Sequence, residues 1–237
     1  MNIGDFFDRV NAALIEKADE KHANSIQRFF KEPVVYHGVR TPDFKEISTK
    51  YFKEIKDLEK EEFFRLCEIF LNTHGGEETG LAFHWTSRIQ HKLDTSDFNR
   101  FSDWVEKYVT DWAKCDSLCC SSLGTLIIDH RELAEPLFEW TKSENLWKRR
   151  ASAVALILAV RKNLLVEWAF KTADALLLDK EDMVQKGYGW LLKEYSNVNP
   201  TPVFDYVMNY KKVMPRTALR YAIEKLPKDL RAKAMAK

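Results

Sequence analysis

Apolar residues recur along most of the chain at the three- and four-residue spacing that places them on one side of a helix. Ile3, Phe6, Phe7, Val10, Ala13 and Leu14 form one such stripe across residues 3–18. Comparable stripes predict helices at about 43–53, 58–72, 77–91, 97–109, 115–128, 131–141, 146–162, 164–178, 181–195, 201–210, 215–225 and 227–236. The breaks between them carry helix-start chemistry. Thr41-Pro42, then Ser143 or Asn145, then Asn199-Pro200-Thr201-Pro202 supply a side-chain acceptor or a proline where the first N–H groups of a helix lack partners. Only Val34-Val35-Tyr36 reads as extended, and it is too short for a sheet. The run from Ala151 to Val160 is apolar on every side, as a helix covered by neighbours should be.

A dozen or more helices with short connections, paired about every 35 residues, predict an all-α fold. The expected architecture is an α/α superhelix, a solenoid of HEAT-like antiparallel helix pairs, with residues 1–237 forming one domain. The period is loose, so an irregular helical bundle is the alternative. At 237 residues the chain can bury a sizeable core.

Composition narrows the function classes. With 45% hydrophobic and 31% charged residues the chain packs rather than staying disordered, and no apolar run approaches the roughly 18 residues of a membrane span. The N-terminus is acidic and amphipathic and lacks the features of a secretory signal, so a cytoplasmic protein is expected. Glycine is scarce, 8 residues, with no Gly-x-Gly-x-x-Gly and no Gly-Lys-Ser/Thr. A backbone that approaches a pyrophosphate needs those glycines, which argues against ATP, NAD or another nucleotide cofactor. Of the four cysteines, Cys115, Cys119 and Cys120 crowd into one segment. A structural metal would need four ligands at paired spacings, and no nearby histidine completes the set, so small buried thiols are expected in place of a metal site.

Charge is unevenly spread although the net value is only +1. Residues 186–237 hold eleven Lys and Arg against four acids, and Lys142, Lys148, Arg149, Arg150, Arg161 and Lys162 cluster with Glu144 as the only nearby acid. Such clusters can line a groove that tracks phosphates, or they can be solvated helix faces; the charge count alone does not decide.

Seven tryptophans are present, and Trp104, Trp112, Trp140, Trp147, Trp168 and Trp190 lie in the central part, most of them expected in the core. Phe29-Phe30, Tyr51-Phe52 and Phe63-Phe64 are also read as core or packing residues. His84 and His91 are read as a solvated helix face, and His130 as a helix-end residue interacting with the dipole. Trp112 and Asp116 differ by four, which on one helix sets a carboxylate beside an indole.

Three segments carry a resemblance. Thr110-Asp111-Trp112-Ala113-Lys114-Cys115-Asp116-Ser117-Leu118, then Asn145-Leu146-Trp147-Lys148-Arg149-Arg150-Ala151, then the stretch Gln185-Lys186-Gly187-Tyr188-Gly189-Trp190 through Tyr195, resemble the AlkD-type DNA alkylation repair glycosylases in order and separation. Gly38-Val39-Arg40-Thr41-Pro42 extends the match, which covers essentially the whole chain.

The resemblance implies a HEAT-like superhelix whose basic face holds duplex DNA and removes N3- and N7-alkylated purines without metal or cofactor. By position, Asp116 corresponds to the catalytic carboxylate, Trp112 and Trp190 to its aromatic companions, and Arg150 to the DNA-contacting arginine beside them. Arg40 and Thr41 fall in the N-terminal DNA-contact turn, and Lys162, Lys186 and Lys193 are backbone-contact candidates, drawn partly from the charge clusters. A monomer suffices for that chemistry. It also implies base release with the lesion still stacked rather than extruded into a pocket.

The chain departs from the family pattern around the carboxylate, which often reads Trp-Asp-x-x-Asp. Here Trp112 is followed by Ala113 and Lys114, and the extra acid, Asp111, precedes it. Lys114 could pair with Asp116 or contact phosphate, and Asp111 could serve as a cap. The rival readings are a HEAT-like scaffold that binds DNA or protein without chemistry, and a binder of branched or damaged DNA.

Overall fold

The computed structural model describes residues 2–236. The described residues fold as helices, most of them joined by short turns and one pair by the longer irregular stretch 28–40, with no strand among them. They form two compact units, one ending at Leu93 and the other beginning at Asp94.

The first unit holds α1 (Ile3–Glu16), α2 (Glu20–Gln27), α3 (Thr41–Ile55), α4 (Lys60–Leu71) and α5 (Gly76–Thr86). Asn2 caps α1 by accepting from the Gly4 and Asp5 N–H groups, and Asp19 caps α2 by accepting from His22. The stripe of α1 buries Phe6, Val10 and Leu14. Phe6 meets Tyr51 and Phe70 edge-on, and Phe70 meets Trp85 in the same way, with ring centroids 5.1–6.3 Å apart. Edge-to-face contacts of this kind add to the area these rings bury. The indole of Trp85 donates to the Ser48 carbonyl at 3.0 Å, so the one polar atom of that buried ring is satisfied.

Three expectations change in this unit. The helix α2 follows no apolar stripe and buries no residue, which is why periodicity passed over it. Phe29 is 72% exposed and therefore not core, while Phe30 is half-buried against Tyr36; Tyr51, Phe52, Phe63 and Phe64 are buried as expected. His84 lies half-buried within 2.6 Å of the Ser48 hydroxyl rather than on a solvated face, and burial lowers its pKa.

The second unit runs through α6 (Asp97–Tyr108), α7 (Trp112–Leu118), α8 (Gly124–Asp129), α9 (Ala134–Glu139), α10 (Leu146–Val154), α11 (Ile157–Arg161), α12 (Val166–Ala175), α13 (Asp182–Ser196), α14 (Pro200–Tyr210), α15 (Arg216–Ala222) and α16 (Lys228–Met235). The single helix expected at 146–162 is two: α10 ends at Val154 and α11 starts at Ile157, across a tight turn in which the Leu156 N–H bonds to the Ala153 carbonyl. Both sides of the break are buried, so the hydrophobic pattern carries no mark of it. Helix α13 occupies the centre of this unit, packed against α10, α11, α12, α14 and α15. Among the described residues no helix is long and apolar enough to cross a membrane.

Candidate active site

The site is built from α7 upward. Asp111 has extended backbone and caps α7, its Oδ1 accepting from the Lys114 N–H at 2.9 Å. The Lys114 ammonium is buried, 3.7 Å from Asp111 Oδ2 and 3.0 Å from the Thr110 hydroxyl. The acid ahead of Trp112 is thus a cap, and Lys114 is tied back to it and to Thr110. Trp112, half-buried, opens the helix, and Asp116 lies one turn further along. Immediately after α7 the backbone widens into a π-helical turn over Cys119–Leu123. Such turns re-aim side chains within a continuous helix and often lie at functional sites.

The partner of Asp116 is Arg150, from the middle of α10. Arg150 Nε and Nη2 donate to Asp116 Oδ1 at 3.0 and 2.8 Å, and Nη2 also reaches Oδ2 at 3.0 Å. The remaining arm, Nη1, donates to the Met183 carbonyl at 2.6 Å, in the first turn of α13. Arg150 is 5% exposed and the Asp116 side chain 20%. Gly187, one turn on from Met183, makes room for this guanidinium: a Cβ there would stand 3.1 Å from Arg150 Cγ. Burial pushes the Asp116 carboxyl above its ordinary pKa; Arg150 pulls it down through charge and hydrogen bonds, and Asp111 adds a push upward. The net shift is upward.

Trp190 sits on α13, half-buried, with its Nε1–H donating to Glu194 Oε1 at 2.8 Å. The other Glu194 oxygen accepts from Arg161 Nε at 2.9 Å. The thiol of Cys120 is pushed up to about 12, by burial first and the Asp116 charge next, while the Arg161 and Arg150 charges pull it down. Cys119 is fully buried, and burial holds its thiol well above the ordinary value. All four cysteines are free, and among the described residues no group of three metal-ligating side chains is placed to hold an ion.

The central basic cluster is mostly neutralised. Lys142 pairs with Glu139, Lys148 with Glu106, Arg149 with Asp179, Arg150 with Asp116 and Arg161 with Glu194. Lys162, just past α11, is exposed and makes none of these pairs. Lys186 pairs with Asp182 at 2.7 Å, and Lys193 with Glu224 at 3.3 Å while lying over the Tyr221 ring. Much of the positive charge visible in the sequence is therefore paired, by acids that lie on other turns and helices.

In the first unit Arg40 and Thr41 sit at the start of α3, both exposed, with Arg40 Nη2 2.9 Å from Asp19 Oδ2. The turn before them is held by a buried acid that sequence reasoning missed. Glu77 Oε1 accepts from the Gly38 and Val39 N–H groups at 2.8 and 3.0 Å, and Oε2 from His37 N–H at 3.0 Å. Gly38 has φ +82°, and a Cβ there would fall 2.2 Å from the Asp19 carbonyl oxygen. The His37 ring lies 2.7 Å from Glu78, which is also buried. Two acids directly after Gly75-Gly76, at a helix start, were the available signal.

Comparison with known proteins defines the class. A protein from Enterococcus faecalis described as a predicted DNA alkylation repair enzyme superposes with a TM-score of 0.79 at 20% identity, over 90% of this chain and 98% of that one. A protein of known structure from Streptococcus mutans superposes with a TM-score of 0.61 at 19% identity, over 87% of this chain and 98% of that one. Both share the all-helical fold. No curated protein matches the chain. The model of the DNA alkylation repair enzyme family matches residues 10–226. The chain belongs to that family.

Proposed function

We propose that the protein is a monofunctional alkylpurine DNA glycosylase, hydrolysing the N-glycosidic bond of cationic N3- and N7-alkylated purines in duplex DNA. The observation that carries this reading is Asp116, an acid near the protein surface gripped by Arg150 and placed one helical turn from Trp112.

The chemistry follows from the charges. Alkylation at N7 or N3 makes the purine a cation and hence a good leaving group. As the bond from C1′ to N9 breaks, its electron pair neutralises the purine and positive charge develops on the deoxyribose. A carboxylate beside the sugar stabilises that charge and orients a water, whose oxygen bonds to C1′ while its proton passes to the carboxylate or solvent. The products are a neutral free base and an abasic site with no strand break. Asp116 has the capacity for this. Oδ1 already accepts two bonds from Arg150, but Oδ2 accepts one, leaving a lone pair for water or sugar. The guanidinium of Arg150 is committed to Asp116 and Met183, so its part here is to hold the carboxylate in place. The faces of Trp112 and Trp190 favour a cation by roughly 0.5–2 kcal/mol each and so distinguish charged lesions from neutral bases.

Arg40, Thr41, Lys162, Lys186 and Lys193 are assigned to the DNA backbone. Lys186 and Lys193 would exchange their acid partners for phosphate, which makes Lys162 the strongest of the three lysines. The reading carries no metal, no cofactor and no need for a second copy of the chain, and it places the protein in the cytoplasm with the nucleoid.

The test is timed release of 7-methylguanine from a defined duplex, with chelator present, by the wild type and by Asp116→Asn. Release that survives chelator and is lost in the variant supports the assignment. Salt-sensitive DNA binding without release from the wild type overturns it in favour of a non-catalytic binder.

A further inference from the structure

Trp190 does not stand alone on α13. Its indole N–H is bound to Glu194 one turn later, and Glu194 is in turn bound to Arg161 at the end of α11. The Glu194 side chain is 15% exposed and its bond to the indole is partly buried, while the Arg161 side chain, 45% exposed, reaches it from the solvent side. Burial alone would raise the Glu194 carboxyl, but the bonds from Arg161 and Trp190, with the Arg161 and Lys193 charges, more than offset it and hold it below the usual range. A carboxylate therefore accepts from the indole N–H, with a guanidinium on its other oxygen.

Two physical consequences follow. The bond fixes the plane of the ring, because the N–H of a half-buried indole has one direction in which to donate. The anion also polarises the ring, pushing electron density away from the N–H and onto the face. A cation over that face is attracted by the ring's negative quadrupole, and the attraction grows with that density. Arg161 keeps the carboxylate ionised without touching the ring itself.

We propose that Glu194 is a positioning and specificity-determining residue: through Trp190 it raises the preference of the site for a cationic purine over a neutral one. This rests on the glycosylase reading for the identity of the ligand, but not for its test. The probes are two duplexes that cannot be cleaved. One carries 7-methylguanine on a 2′-fluorinated sugar, which is cationic; the other carries 7-deaza-7-methylguanine, a neutral isostere of the same shape. The measured quantity is the ratio of their dissociation constants.

In the wild type the cationic duplex should bind more tightly. Glu194→Gln keeps an acceptor for the indole but removes the charge, and should reduce the preference by about fivefold, the loss falling on the cationic duplex. In a Trp190→Phe background, which has no indole N–H, Glu194→Gln should have no further effect. Arg161→Met removes a competing cation but leaves the Glu194 charge on the indole, so it should keep or raise the preference, and a fall like that of Glu194→Gln would also count against the proposal. An unchanged ratio in Glu194→Gln, or a loss that persists without the indole, overturns the proposal. Absence of base release by the wild type counts against the glycosylase reading alone, since the ratio is read from binding.

Discussion

Arg150 holds Asp116 through three hydrogen bonds of 2.8–3.0 Å while its third nitrogen is anchored on the Met183 carbonyl, so the carboxylate of α7 is fixed to α10 and α13 at once. A charge-assisted fork of this kind fixes direction as well as distance. It gives Asp116 a pKa governed by two opposed effects, burial and the guanidinium, with burial the larger.

The rate of base release should depend on pH through that balance. On the proposed mechanism the reaction needs the carboxylate, so release should be lost as pH falls through the Asp116 pKa. Because that pKa is raised, the acid limb should lie above the ordinary aspartate value of about 3.9, with a slope of one proton. Arg150→Met removes the largest downward influence and should move the limb to still higher pH. Single-turnover rates at a series of pH values check both; a limb at or below the ordinary value contradicts the assignment.

Stability should show the same pair from the other side. Removing one member of a buried ion pair costs about 3–5 kcal/mol when the other charge is stranded. Arg150→Met should lose about 3 kcal/mol at pH 7, a figure at the lower end because Asp116 retains some exposure. The loss should shrink as pH falls, since a stranded carboxyl with a raised pKa can take up a proton in the folded state before it does in the unfolded one. Urea unfolding at pH 7 and pH 5 measures the difference.

Gly187→Ala tests how tightly the arginine is held. Alanine in a helix interior ordinarily gains about 1 kcal/mol over glycine. Here the added methyl would press on Arg150 Cγ at 3.1 Å, and Arg150 cannot retreat without loosening its bonds to Asp116 or Met183. Base release should fall by about tenfold with little change in melting temperature. Retained activity would show that the guanidinium has slack.

In the first unit, Gly38→Ala should be destabilising by more than about 1 kcal/mol, because the position has positive φ and a Cβ would meet the Asp19 carbonyl oxygen. Glu77→Ala strips three backbone N–H groups of their shared acceptor and should cost more, about 3 kcal/mol. Both variants should weaken DNA binding through Arg40 and Thr41 more than they slow release at saturating DNA. Equal losses in both quantities would separate this turn from DNA contact.

Much of the fold was legible because the stripes that bury Phe6, Val10 and Leu14, or Val184, Tyr188 and Leu191, are the same stripes the sequence displays. What escaped had no stripe to show. The helix α2 buries nothing, and the break at Ala155-Leu156 lies in a segment apolar on every side. The site was less legible still. The spacing of Trp112 and Asp116 is local, but Arg150 is 34 residues from Asp116 and Glu194 is 33 from Arg161, so only the family resemblance suggested the first meeting and nothing suggested the second. Glu77 reads as one acid among many until the turn at Gly38 is seen folded onto it.

Cys120 offers a last measurement and a wider consequence. With its thiol at about 12, its thiolate at pH 8 is about a thousandfold scarcer than for a cysteine at 9, a loss that the greater nucleophilicity of a more basic thiolate offsets in part. Iodoacetamide should therefore modify Cys120 about fortyfold more slowly than an ordinary exposed cysteine. Reagents that alkylate DNA also attack thiolates. Burial that keeps Cys119 and Cys120 protonated near Asp116 leaves such reagents little thiolate to attack, a property that suits a member of a DNA alkylation repair family.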